Sequence, residues 1–143
     1  PELLTIVRVV PGRPVPDEMA GDATIEQIGM DVAMRYEREQ GRHPEDVSVQ
    51  ALGYDIRSVD GDGNFRYIEV KARAKTGAIA LTPNEWVMAN RMGNEYWLYV
   101  VEQAAGEPQL YLIQNPAKCL QANEQVEVVR YVIRDWRSAA TKA

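Results

Sequence analysis

Few of this chain's residues are reactive on their own. It has one cysteine, Cys119, and one histidine, His43, in 143 residues. A single cysteine excludes an intrachain disulfide and a multi-cysteine zinc site, and it suits a reducing, cytoplasmic setting. With no histidine in a partner motif, Cys119 reads as a small core residue and not as a nucleophile. His43 sits beside Pro44 in a polar stretch and reads as a solvated loop residue. No apolar run reaches the roughly eighteen residues of a membrane-spanning helix, so no membrane partner is expected. Basic charge is also in short supply: 16 Lys and Arg stand against 21 Asp and Glu, for a net charge of −5. Tight, autonomous DNA-binding domains usually carry a basic stripe that neutralises phosphates, and this composition argues against one. It leaves room for a module that works through a divalent cation, because the cation offsets acidic ligands.

The length suits one domain with a real core. Residues 1–4, Pro1-Glu2-Leu3-Leu4, lack an initiator Met and the basic-then-apolar order of a signal peptide. The opening reads as that of a domain cut from a larger protein. Residues 3–10 are β-branched and apolar and predict a strand. Three prolines between Pro11 and Pro16 predict a loop or extended connector, so 1–21 reads as an N-terminal strand with its linker.

Residues 22–40 switch to helical spacing, with Asp22 or Thr24 as N-cap and Gly41 as the stop. Ile25, Ile28, Gly29, Val32 and Tyr36 form one apolar stripe. Glu26 and Glu37 are eleven residues apart, three helical turns, and share a bearing along the edge of that stripe. Either is a candidate site acid, and Glu37 could equally pair with a neighbouring Arg. A polar loop is expected at 42–46 and a short strand at 47–49. Residues 53–59 and 65–73 flank Asp60-Gly61-Asp62-Gly63-Asn64, a strong hairpin turn, so the two segments should pair antiparallel. After a short strand at 78–81, Thr82-Pro83-Asn84-Glu85 is a specific helix start: Thr82 as N-cap, Pro83 in the first turn, Glu85 closing a capping box. Strands follow at 96–101, 109–114 and 126–133. Trp136 docks the end of a body spanning 22–136, and 137–143 reads as a loose tail. The order predicts an α/β sandwich: a mixed sheet flanked by helices.

One strand carries the chemistry. In Arg66-Tyr67-Ile68-Glu69-Val70-Lys71, side chains alternate faces, so Glu69 and Lys71 point one way and Ile68 and Val70 the other. Charges on an apolar strand are costly unless they are paired or hold a metal. The hairpin brings Asp55 beside them. An Asp, thirteen intervening residues, then Glu-x-Lys is the spacing of a metal-dependent phosphodiesterase site, and it is also within reach of an ordinary salt bridge. Mg²⁺ (or Mn²⁺) takes hard oxygen ligands and retains waters, so Asp55 and Glu69, with the Val70 carbonyl as a third donor, would suffice. Lys71 would hold the attacking water or stabilise transition-state charge. Glu26 or Glu37 would hold a further water or a second ion. Arg73 and Lys75, just past the strand, and Arg57 on its partner are the residues placed to meet nucleic acid.

Leu52-Gly53-Tyr54-Asp55-Ile56-Arg57-Ser58 followed by Tyr67-Ile68-Glu69-Val70-Lys71 resembles the PD-(D/E)XK superfamily, whose fold is restriction endonuclease-like. More narrowly, the chain is similar to the domain at the C-terminus of the plant protein NO VEIN, also found at the ends of Swi/Snf-type helicases and defence proteins. The similarity runs from Ile25 through Tyr36-Glu37, Thr82-Pro83-Asn84-Glu85-Trp86 and Tyr96-Trp97-Leu98-Tyr99 to Asn115-Pro116. It implies metal ligation by Asp55 and Glu69, a catalytic Lys71, DNA as substrate and linked helicase or ATPase domains, and it leaves a homodimer open. A catalytically inactive nucleic-acid-binding or protein-docking module of the same fold is the alternative. Tyr54 stands where the superfamily name has proline, and the first-helix Glu is not uniquely placed.

Overall fold

The computed structural model describes residues 16–120, 123–125 and 130–143. The strand expected at 3–10, most of the linker after it, and the 126–129 part of the last strand lie outside the described residues. Helix α1 (Pro16–Glu39) begins six residues earlier than expected. Proline is tolerated in a first helical turn because its missing N–H has no helical partner there. Gly41, at φ 81, follows the helix end in a conformation that suits glycine.

Two expectations change places just after α1. Strand β1 (His43–Asp46) occupies the segment expected as a loop, and the 47–49 region forms a 3₁₀ turn (Ser48–Gln50). β1 is a largely exposed edge strand, so it carries no alternating apolar signal. It is recruited by backbone pairing with β2 (Ile56–Val59), from His43 opposite Val59 to Asp46 opposite Ile56. The Asp46 carboxylate holds the 3₁₀ turn by accepting from Ser48 N–H at 2.9 Å and Ser48 Oγ at 2.7 Å.

β2 turns through the expected hairpin into β3 (Phe65–Ala72). Then come β4 (Ile79–Leu81), α2 (Pro83–Met92), β5 (Tyr96–Glu102), β6 (Gln109–Gln114), a short α3 (Pro116–Cys119), β7 (Asn123–Gln125), β8 (Arg130–Ile133) and β9 (Thr141–Lys142). Cys119, expected in the core, ends α3 exposed. The main sheet has the order β1-β2-β3-β5-β6-β9, with β3 and β5 parallel and the other neighbours antiparallel. A smaller antiparallel sheet has the order β4-β8-β7. The architecture is α/β with a mixed sheet. Residues 137–143, expected as a loose tail, instead contribute a 3₁₀ turn (Trp136–Ala139) and the edge strand β9. Two residues pairing through backbone alone leave no pattern in side chains, which is why the sequence does not announce them.

Each face of the main sheet is covered. α1 lies on the face of Ile56, Ile68, Tyr99 and Val101, with Ala33 at its centre. α2 and the small sheet cover the face of Leu98, Val100 and Ile113, with Leu81, Ile133 and Trp136. Fully burying one such side chain contributes roughly 1.5–3 kcal/mol. Contact between α1 and β3 is close: a Cβ on Gly29 would stand 2.7 Å from the Ala72 Cβ, so a side chain there would push the helix off the strand. No helix among the described residues is long and apolar enough to cross a membrane.

Candidate functional site

The main sheet opens a notch where β2 and β3 part. β2 accompanies β3 only as far as Ile68, while β3 runs on to Ala72 beside β5. Asp55, just ahead of β2, makes the last backbone link, donating its N–H to the Ile68 carbonyl at 2.8 Å. Its carboxylate then turns back and accepts the Val70 N–H at 2.9 Å. In a strand, the N–H and C=O of one residue face the same edge. The Val70 carbonyl therefore faces the notch as well. The loop carrying Asp55 is tied down by buried Tyr96, whose hydroxyl donates to the Gly53 carbonyl at 2.8 Å. Gly53 itself, at φ 89, leaves no room for a side chain against Met88.

Glu69 and Lys71 point from β3 into the same groove, of about 510 Å³, on the face that meets α2. The Lys71 ammonium lies 3.2 Å from Glu69 Oε2 and 2.9 Å from Glu85 Oε1 at the start of α2. Burial pushes the Glu69 carboxyl well above the ordinary range; Lys71 opposes that, and the Glu85 and Asp55 charges add to it. Asp55 is also raised, chiefly by burial, against the lowering effect of the Val70 N–H and Lys71. Glu85 goes the other way: burial would raise it, but Lys71 and the Thr82 N–H hold it below its usual value. Burial disfavours the charge on Lys71, and Glu69 and Glu85 more than offset that, so the ammonium stays protonated.

The remaining sequence candidates separate. Glu26 is exposed on α1 and lines the groove opposite Asp55 and Glu69, as does Met30. Glu37, on the same helical bearing, is not brought to the groove. Eleven residues carry it about 16 Å along the helix, over β2 and β5 on the sheet face that α1 covers, away from Glu69 and Lys71. There it is fully buried, bidentate with Arg42 at 2.6 and 2.9 Å, and accepts the Tyr99 hydroxyl at 2.5 Å. Arg73 lines the groove and, with Lys75, an adjoining depression beside Asp22 and Glu26. Arg57 lies outside the groove lining and pairs with Glu45 at 3.0 Å on the exposed sheet edge.

Two site residues escape the sequence reading. Glu85 was legible only as the third member of a capping box; its direct contact with the Lys71 ammonium depends on how α2 docks. Tyr96 reads as core and is fully buried there, and its part in the site is indirect: its hydroxyl holds the Gly53 carbonyl of the loop that carries Asp55.

Among the described residues no group of three or more His, Cys, Asp or Glu side chains is disposed to hold a metal ion. The donors that converge are two carboxylates, Asp55 and Glu69, and the Val70 carbonyl. All are hard oxygen donors, and Mg²⁺ sites commonly use one or two carboxylates with water completing the shell. Both carboxyls are held above their usual range, chiefly by burial, with the Glu85 charge adding to it in each case. A divalent cation would relieve that strain, so the donor set fits one.

No curated protein and no solved structure matches the chain. A family model does: the one described as Protein NO VEIN, C-terminal, aligns with residues 25–113, well over half of the chain. That span holds Glu26, Asp55, Glu69, Lys71 and Glu85 together with the strands and helices that position them, and on this match the chain belongs to the NO VEIN C-terminal family.

Proposed function

We propose that this protein is a divalent-metal-dependent nuclease module of the PD-(D/E)XK, restriction endonuclease-like type, hydrolysing phosphodiester bonds in DNA. The observation that carries the reading is the notch itself: Asp55 locked onto the Val70 N–H, with Glu69 and Lys71 aimed into the same groove. Bound Mg²⁺ or Mn²⁺ would neutralise the scissile phosphate and lower the pKa of an attacking water. Asp55, Glu69 and the Val70 carbonyl would hold the cation. Lys71 would orient the water or meet the charge that develops on the phosphate oxygens. Glu26, across the groove, would accept a hydrogen bond from a water there. Arg73 and Lys75 on the rim would contact flanking phosphates.

The lining also argues for cation dependence. Glu26, Asp46, Asp55, Glu69 and Glu85 face the groove against Lys71 and Arg73. That acid excess repels DNA until a cation is bound. Firm retention of substrate would then fall to linked helicase or ATPase domains. One observation favours the inactive-module reading: Lys71 already has two carboxylate partners and is not free to act.

Titration calorimetry with Mn²⁺ and nicking of supercoiled plasmid distinguish the two. The nuclease reading expects one Mn²⁺ site in the wild type, lost in Asp55→Ala, and nicking that Lys71→Ala abolishes. A folded wild type that takes up no Mn²⁺ and nicks nothing, including when joined to its neighbouring domains, overturns it in favour of a docking module.

A further inference from the structure

Glu85 is bonded twice through one oxygen. Its Oε1 accepts the Thr82 N–H at 2.9 Å, completing the capping box, and accepts the Lys71 ammonium at 2.9 Å. The Thr82 hydroxyl reciprocates by accepting the Glu85 N–H at 3.2 Å. The carboxylate is thus fixed to the helix end before it meets the lysine, and it is only 16 % exposed. Lys71 is a flexible four-carbon stem that Glu85 shares with Glu69, two residues back on the same strand face and paired with the ammonium at the longer distance of 3.2 Å. Without this fixed competitor the ammonium would rest on Glu69 alone.

We infer that Glu85 is a positioning residue that anchors the Lys71 ammonium on the α2 side of the groove and thereby limits its hold on the Glu69 carboxylate. The anchoring stands on the geometry alone; what a less tightly held Glu69 would take, a divalent cation, rests on the nuclease reading. α2 then does more than cover the sheet. Its N-terminal turn and the site strand are joined through a single carboxylate, so the seating of α2 sets where the lysine is.

Glu85→Gln tests this without unfolding the helix start, because Gln also closes a capping box. The first readout needs no metal: the Lys71 side-chain ammonium signal in ¹⁵N NMR, assigned by its loss in Lys71→Met. It is expected to shift in Glu85→Gln while the melting temperature holds. An unmoved signal overturns the proposal. The second readout is Mn²⁺ affinity by calorimetry. Glu85→Gln is expected to weaken binding about tenfold in the wild-type background, as Lys71 comes to rest on Glu69 alone, and to have little effect in a Lys71→Met background. Equal losses in both backgrounds overturn the proposal, since Glu85 would then act by its own charge and not through Lys71. A shifted lysine signal with no Mn²⁺ uptake by any variant upholds the anchor and overturns the nuclease reading.

Discussion

Glu37 and Glu69 are two buried glutamates on opposite faces of one sheet, and they are held in opposite ways. Glu37 is fully buried and fully answered: a bidentate guanidinium from Arg42 and a hydroxyl from Tyr99, itself bonded by Arg66 at 2.8 Å. Burial alone would raise its carboxyl, but these hydrogen bonds hold it below the ordinary value of 4.5. Glu69 is 3 % exposed and shares its one cation with a second carboxylate while facing a third. Its carboxyl is pushed up instead. A buried acid whose partners are complete belongs to the architecture. A buried acid left short of positive charge, in a groove, is a candidate site acid, and the proposed function gives it a cation to hold.

The largest effect should come from Glu37→Ala. Removing one member of a buried, hydrogen-bonded pair leaves Arg42 and Tyr99 unanswered and should cost about 3 kcal/mol, read as a lower urea midpoint. Mn²⁺ uptake by the folded fraction should be unchanged. If Glu37→Ala instead keeps its stability and loses Mn²⁺, the two glutamates have exchanged roles and the contrast fails.

Glu69→Gln should do the reverse. It relieves repulsion with Asp55 and Glu85, so stability at neutral pH should hold or rise by about 1 kcal/mol, while Mn²⁺ binding disappears. A destabilisation like that of Glu37→Ala would make Glu69 a structural acid as well.

The smallest effect, and the most diagnostic, is in acid. Glu37 has a folded pKa below its unfolded one, so its contribution is complete above about pH 4.5 and is lost as pH falls through the folded value. Glu69 and Asp55 have folded values above their unfolded ones, so the native state takes up protons first and their penalty is relieved as pH falls. Urea midpoints measured from pH 7 downward should therefore show the gap between wild type and Glu69→Gln closing first. The advantage of wild type over Glu37→Ala should shrink only at lower pH. A gap that widens for Glu69→Gln would reverse the sign assigned to it.

Much of this molecule is written in local pattern. The hairpin at 60–64, the Thr82 capping box, and the strands at β3, β5 and β6 follow from turn chemistry and apolar alternation, which need no knowledge of the fold. The pairing of Asp55 with the Glu69–Lys71 strand followed from the same hairpin. β1 and β9 did not, because an exposed edge strand is defined by the backbone groups of its neighbour and not by its own side chains. The choice between Glu26 and Glu37 could not be made either. Helical periodicity gives bearing, and both residues have the same bearing. What separates them is distance along a helix that crosses a sheet with a groove at one end only, and that distance means nothing until the helix is docked. So the sequence by itself determined the fold class and the Asp-Glu-Lys trio. Tertiary structure alone decided which helix acid faces that trio and that Glu85 joins it, because these depend on where separate elements come to rest, and packing between elements leaves no period in the chain.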